Sequence, residues 1–132
     1  DTEEAGTARQ ARVGDAVLKP DLEDRLRRIG VEDREDMWEL IGIFLDDSQR
    51  RIDELTQATQ QRQIEQVQRL AHALKSSCAY LGADELRVLC EEIESAAMKG
   101  MSSQAAQLQK ALPRVFHRLQ RALEQTGITR AA

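Results

Sequence analysis

The sequence predicts an all-α protein, folded as an antiparallel up-down-up-down four-helix bundle with a short additional helix at the N-terminal end. Apolar residues recur at spacings of three and four along most of the chain, and no segment shows the strict alternation of a β-strand. The breaks between the periodic segments are short, which favours antiparallel packing of neighbouring helices. The chain has 132 residues, of which 41% are hydrophobic, so it can form one domain with a modest core.

Capping residues and apolar repeats predict the first two helices. A short helix starts at Pro20 and stops at Gly30, since proline suits the first turn and glycine the C-terminal end. A second helix, about 34–59, follows the capping residue Asp33. Its apolar stripe comprises Met37, Ile41, Phe44, Ser48, Ile52 and Leu55. A turn near 59–62 has to follow, because the next apolar stripe would otherwise fall on the opposite face.

Three further helices complete the predicted bundle. The third is the most regular and stops at Gly82; its seam residues are spaced by four and three and are Val67, Ala71, Leu74, Cys78 and Leu81. The fourth spans about 84–98. The fifth spans about 103–125 and contains Pro113, which predicts a kink near 109–113 because proline removes a backbone donor and clashes with the preceding turn.

Composition narrows the classes of function. The net charge is −4 with both signs interspersed, whereas a nucleic-acid binder usually concentrates Lys and Arg on one face. No apolar run approaches the ~18 residues that span a bilayer, so we expect no direct membrane contact. Cys78 and Cys90 lie within apolar patterns and have no partners for a metal site, which predicts buried free thiols in a cytoplasmic protein. No cofactor or metal site is predicted in the chain itself.

The two ends of the chain lack the periodicity of its middle. Residues 1–17 carry scattered charge and glycine, and we predict a flexible linker there. The domain itself is predicted to span 18–126, followed by a flexible tail over 127–132. Because the sequence begins at Asp1 and not at Met, we expect an excised segment or a processed product.

Of the two histidines, His72 is the candidate nucleophile. It lies about 140° from the apolar seam of the third helix and therefore faces solvent. Lys75, Ser76 and Ala79 follow within two turns, so a cation lies nearby and small side chains leave room for another protein to approach. A neutral imidazole nitrogen attacks phosphorus readily, and an ammonium group stabilises the resulting dianion. His117 has no such neighbours and is predicted to be a surface residue.

One stretch of the sequence closely resembles a known family. The run AHALKSSCAYLG, which begins at Ala71, is followed by Leu86, Cys90 and Glu94. Together these residues resemble the histidine-containing phosphotransfer (HPt) domain of multistep phosphorelays. The resemblance is strongest over about 62–98 and extends as a pattern over about 17–125.

The resemblance implies a role for each matched residue. His72 would accept and donate the phosphoryl group, Lys75 would support it electrostatically, and Glu94 would orient the imidazole through its other ring nitrogen. Ser76 stands where the family usually has glycine, yet its small side chain keeps the approach open. Ser76 and Ala79 are therefore the predicted docking residues.

The resemblance also implies what must come from elsewhere. The chain has no phosphate-binding loop, so it is not expected to be a kinase by itself. The aspartyl phosphate and the Mg²⁺ ion are expected on a partner, a response-regulator receiver domain. The domain is expected to be either free-standing or cut from the end of a hybrid sensor histidine kinase, and to act as a monomer.

Two alternatives remain open on the sequence. One is the phosphoacceptor domain of a chemotaxis-type kinase, which takes its phosphate from a kinase domain of the same protein. The other is a helical bundle that binds receiver domains without accepting phosphate.

Overall fold

The computed structural model describes residues 17–128, and within them it contains six α-helices and no strand. The helices are α1 (Leu22–Arg28), α2 (Arg34–Gln60), α3 (Ile64–Leu81), α4 (Asp84–Met98), α5 (Ser102–Gln109) and α6 (Leu112–Glu124). Helix α2 packs on α3, α3 on α4, and α4 on α5 and α6, which in turn contact α2. These contacts form a four-helix bundle. Its first three helices are α2, α3 and α4, and α5 and α6 together take the place of the fourth. Helix α1 packs against α3, so the predicted fold class is confirmed.

Local sequence signals explain where the helices begin and end. The Asp33 carboxylate accepts a hydrogen bond from the Glu35 backbone N–H at 2.7 Å, as expected of the residue that caps α2. Gly82 ends α3 with a φ of 74°, a left-handed conformation that glycine adopts at little cost because it lacks a Cβ. Arg62, with a φ of 57°, turns the chain between α2 and α3. These turns set the length of α3, the helix that carries His72.

The C-terminal part of the bundle differs from the sequence prediction. A single kinked helix was expected over 103–125, but Lys110 and Ala111 separate two distinct helices, α5 and α6. Pro113 lies in the first turn of α6. Backbone N–H groups in a first turn have no partner within the helix, so the missing donor of proline costs little there. Proline therefore begins a helix here and does not bend one.

Both cysteines lie in the core. Cys78 and Cys90 are buried free thiols, as predicted, and burial raises the pKa of Cys78 to about 12 and that of Cys90 well above its ordinary value.

The packed core reaches both ends of the described chain. Val17, which the sequence analysis assigned to the linker, packs partly buried against the core. Ile128, which it assigned to the tail, is buried. The remaining residues of the predicted linker and tail lie outside the described residues.

A partly buried ion pair links α4 to α6. The guanidinium of Arg118 donates two hydrogen bonds to Glu85, from Nε to Oε1 at 3.0 Å and from Nη2 to Oε2 at 2.6 Å. The Glu85 side chain is only 4% exposed.

None of the helices in the described part of the chain is both long enough and apolar enough to cross a membrane.

Candidate active site

His72 lies in the middle of α3 on the face turned away from the core. The seam of this helix is buried against its neighbours and comprises Val67, Ala71, Leu74, Cys78 and Leu81. The His72 side chain is 61% exposed. A rigid, packed helix thus presents the imidazole to solvent, as the position of His72 relative to the seam predicts.

Glu94 of α4 reaches the imidazole from the neighbouring helix. Its Oε2 lies 2.7 Å from Nδ1 of His72, and its side chain is only 11% exposed. An ionised carboxylate can only accept hydrogen bonds, so Nδ1 carries the hydrogen. In the neutral ring the lone pair then lies on Nε2, which is the free nitrogen. The structure thus brings together the two residues that the resemblance associates.

Lys75 is also bonded to Glu94. Its Nζ donates to Oε1 at 2.6 Å, so each carboxylate oxygen of Glu94 has its own partner. Electrostatic support of the phosphoryl group by Lys75 stays a prediction; in this structure its ammonium binds the carboxylate that orients the imidazole. Because both oxygens of Glu94 are hydrogen-bonded, its carboxylate has little freedom to rotate. The imidazole of His72, which the carboxylate orients, is therefore held in place.

The environment keeps Glu94 ionised. Burial by itself would raise the pKa of this carboxyl group, but the hydrogen bonds from Lys75 and His72, together with the charges of these two groups, outweigh burial and lower the pKa below its ordinary value. At neutral pH Glu94 is therefore an acceptor for both partners.

The predicted docking residues leave the approach to His72 open. Ser76 and Ala79 are both exposed, and the Ser76 hydroxyl donates to the backbone carbonyl of His72 at 3.1 Å. That bond turns the hydroxyl back onto the helix, away from the space in front of the ring. His117 is exposed on α6, as predicted, and has no bonded partner among the described residues.

An apolar groove near the site was not predicted from the sequence. It lies between α1, α2 and α3 and is lined by Ile29, Ile43 and Tyr80 among others. Ile43 and Tyr80 are 60% and 66% exposed. The sequence contains one signal of this groove, because Ile43 falls outside the buried stripe of α2. The residues that face Ile43 across the groove lie on other helices, so the pattern of α2 alone does not predict it.

Chemically, the cluster combines an oriented imidazole with one open nitrogen and a buried carboxylate behind it. Within residues 17–128 no group of three or more His, Cys, Asp or Glu side chains is placed to hold a metal ion.

The family model of the Hpt domain matches residues 39–129, well over half of the chain, from within α2 to beyond the end of α6. The matched range includes His72, Lys75 and Glu94. Neither a comparison with curated proteins nor one with solved structures finds a match.

Proposed function

The chain belongs to the Hpt domain family, whose function is histidine-containing phosphotransfer in two-component signalling, and we propose that it is a phosphorelay intermediate. In this proposal His72 accepts a phosphoryl group from the aspartate of one receiver domain and passes it to the aspartate of another. The observation that supports it best is the 2.7 Å contact of Nδ1 with a buried, ionised Glu94, which leaves Nε2 free on an exposed ring.

The transfer step follows from this geometry. Nε2 of His72 attacks the phosphorus of the partner's aspartyl phosphate, the N–P bond forms, and the bond from phosphorus to the aspartyl oxygen breaks with its electron pair leaving on the carboxylate. The hydrogen on Nδ1 stays in place, so the phosphorylated ring carries a positive charge. The Glu94 carboxylate beside Nδ1 stabilises that charge as it develops. Onward transfer is the same step in reverse.

The partner contributes what this chain does not supply. Phosphoryl transfer depends mainly on positioning and on electrostatic stabilisation of the transferred group. We assign the Mg²⁺ ion and the acidic pocket to the receiver domain, and the oriented nucleophile to this chain. The proposal implies a monomer that works in the cytoplasm, either alone or as the cytoplasmic part of a membrane-bound hybrid sensor kinase.

Replacement of the acceptor tests the proposal. We expect a receiver domain phosphorylated with radioactive phosphate to label the wild-type chain with a bond that is acid-labile and base-stable, the signature of a phosphoramidate. His72→Gln should fold normally, because its side chain faces solvent, and should take up no label. His117→Gln is the matched control and should be labelled like the wild type.

Two results would contradict the proposal. Label that persists in His72→Gln would move the acceptor elsewhere. Label that comes from a chemotaxis-type kinase core and from no receiver domain would favour the kinase phosphoacceptor alternative.

A further inference from the structure

The charges of the chain are unevenly distributed along the sequence. Of the 23 Asp and Glu residues, Glu124 alone follows Glu94. The stretch between these two carboxylates contains five Lys or Arg residues and includes α5 and nearly all of α6. Although the net charge of the whole chain is −4, the part that takes the fourth position of the bundle is therefore basic.

Helix α6 collects basic residues on its outer side. Four exposed residues follow one another there: Lys110, Arg114, His117 and Arg121. Their spacing of four, three and four places them within about 60° of one another around a helix. Lys110 and Ala111, between α5 and α6, keep helical backbone angles, so the pattern continues through the break. The buried residues of α6, among them Val115 and Leu119, lie on the opposite side. We call the four exposed residues the α6 basic row.

The cations of the row are available for binding. Arg118, at the edge of the row, is bonded to Glu85. Within residues 17–128 no carboxylate lies at ion-pairing distance from Lys110, Arg114 or Arg121. Arg114 lies about 6 Å along the axis from Lys110 and about 10 Å from Arg121, close to the ~8 Å Debye length at physiological salt, so their fields reinforce one another. An anionic partner can therefore bind these cations without breaking an internal ion pair.

The row offers charge without the other side chains of a protein or nucleic-acid interface. Every Leu, Val and Phe between Lys110 and Arg121 is buried, whereas protein interfaces place apolar and aromatic side chains at their centre. Nucleic-acid binders add amide or aromatic side chains that contact bases, and the row contains no Asn, Gln, Phe, Tyr or Trp. A bilayer with anionic lipids requires charge alone, and each Lys or Arg near its surface strengthens binding by about fivefold.

The α6 basic row lies across the bundle from His72. The main neighbours of α6 in the bundle core are α2 and α4, and the same two helices flank α3. Helices α3 and α6 thus occupy diagonal positions, and each turns its exposed face outward. A surface bound to the row would leave the imidazole open on the far side.

We propose that the α6 basic row binds the surface of a bilayer that contains anionic lipids, with His72 directed away from it. The contact is peripheral and electrostatic. The sequence led us to expect no membrane contact because no apolar run spans a bilayer, but attraction to anionic headgroups needs no apolar segment. Acidic residues outnumber basic ones in the rest of the chain, so the same headgroups repel its other faces and favour this orientation.

Vesicle binding tests the row. The chain is mixed with vesicles of about equal parts phosphatidylglycerol and phosphatidylcholine, or of phosphatidylcholine alone, and the bound fraction is measured by sedimentation. We expect the wild type to bind only the anionic vesicles, and more weakly as salt increases. Arg114→Gln/Arg121→Gln should weaken binding about 25-fold, at about fivefold per charge. The matched control, Arg50→Gln/Arg69→Gln, removes two exposed charges from α2 and α3 and should change binding by less than about twofold.

A charge-conserving variant separates loss of charge from loss of folding. Arg114→Lys/Arg121→Lys keeps both cations and should bind like the wild type, because attraction to the lipids depends on charge. A loss as large as that of the Gln variant would show that guanidinium geometry is recognised, and the proposal would be wrong. Thermal midpoints of all three double variants should stay close to that of the wild type, since the substituted residues are exposed.

Three other results would overturn the proposal. Equal binding to both kinds of vesicle would exclude electrostatic attraction as its cause, and an equal loss in the Arg50→Gln/Arg69→Gln control would place the contact elsewhere. Tighter binding to a DNA duplex than to the vesicles, at the same concentration of phosphate groups, would make a nucleic acid the partner. Vesicle binding needs no phosphotransfer, so it decides the proposal whether or not His72 is the acceptor.

Phosphotransfer on vesicles tests the orientation. Because the row lies across the bundle from His72, a phosphorylated receiver domain should label the vesicle-bound chain as fast as the chain in solution. Slower labelling on the vesicles would show that the bilayer covers His72 and that the proposed orientation is wrong.

Discussion

Helix α4 carries two buried carboxylates, Glu94 and Glu85, and each is bonded to basic side chains of neighbouring helices. Both oxygens of Glu85 accept hydrogen bonds from one guanidinium, that of Arg118 on α6. Glu94 divides its oxygens between Lys75 and the imidazole of His72 on α3. The first arrangement leaves no reactive atom in either partner, whereas the second leaves Nε2 of an exposed ring free.

The difference shows what separates a structural ion pair from a candidate site on the same helix. Burial of the carboxylate and short hydrogen bonds are common to both clusters. The distinguishing feature is a nucleophilic atom that the bonding leaves unused and that a partner can reach. Variants that act on folding or on transfer separately can therefore test the comparison.

The largest effect is expected from closing the approach to His72. Ser76→Trp should place a bulky ring in front of the imidazole and slow transfer from a phosphorylated receiver by about a hundredfold, equivalent to about 2.7 kcal/mol in the barrier. The thermal midpoint should move by only a few degrees, because Ser76 is exposed. The matched substitution beside the other cluster, Arg121→Trp on α6, should leave transfer unchanged. Stopped-flow transfer at the wild-type rate in Ser76→Trp would mean that the partner approaches from another direction.

The second effect concerns folding. Arg118→Ala leaves Glu85 buried without its partner, which should lower the free energy of unfolding by about 2 kcal/mol, a moderate value because Arg118 itself is 41% exposed and water can reach the pair. Denaturant unfolding gives this difference. Transfer, measured at a temperature where the variant is folded, should match the wild type. A slower transfer in the folded variant would remove the distinction between the two carboxylates.

The third effect concerns orientation of the nucleophile. Glu94→Ala removes the acceptor at Nδ1 without touching Nε2, so transfer should slow by about tenfold, or about 1.4 kcal/mol, the scale of one hydrogen bond to a charged group. Some activity should remain, because the orienting bond does not itself attack phosphorus. Complete loss of transfer in a well-folded variant would show that Glu94 takes part directly in the step.

The smallest effect is a pH dependence of stability. Since the folded protein lowers the pKa of Glu94, the ionised carboxylate stabilises the fold above the ordinary carboxyl pKa of about 4.3, and this contribution is lost as the pH falls through the lower folded-state value. The stability advantage of the wild type over Glu94→Gln should thus shrink as the pH falls below about 5. Unfolding curves from that pH downward measure it, and an advantage that grows over that range would contradict the stated direction.

The sequence by itself determined most of the secondary structure and the exposure of His72. Helix capping and an apolar seam both depend on residues only a few positions apart in the sequence. The helix ends at Asp33 and Gly82 and the buried face of α3 can therefore be predicted from each helix by itself. The helical angle between His72 and that seam likewise needs no knowledge of the other helices. The association of Glu94 with His72 came from the family resemblance, since the two residues are 22 positions apart and lie on different helices.

Only the tertiary structure decided which partners meet across helices. Lys75 is one turn beyond His72, and the packing of α4 on α3 brings Glu94 within reach of its ammonium. The groove at Ile43 and Tyr80 exists because three helices meet at angles that no single segment specifies. Pro113 permits a kink or a new helix, and the structure has two helices separated at Lys110 and Ala111. Local hydrogen bonding sets the helices, while their register and crossing angles depend on the whole core.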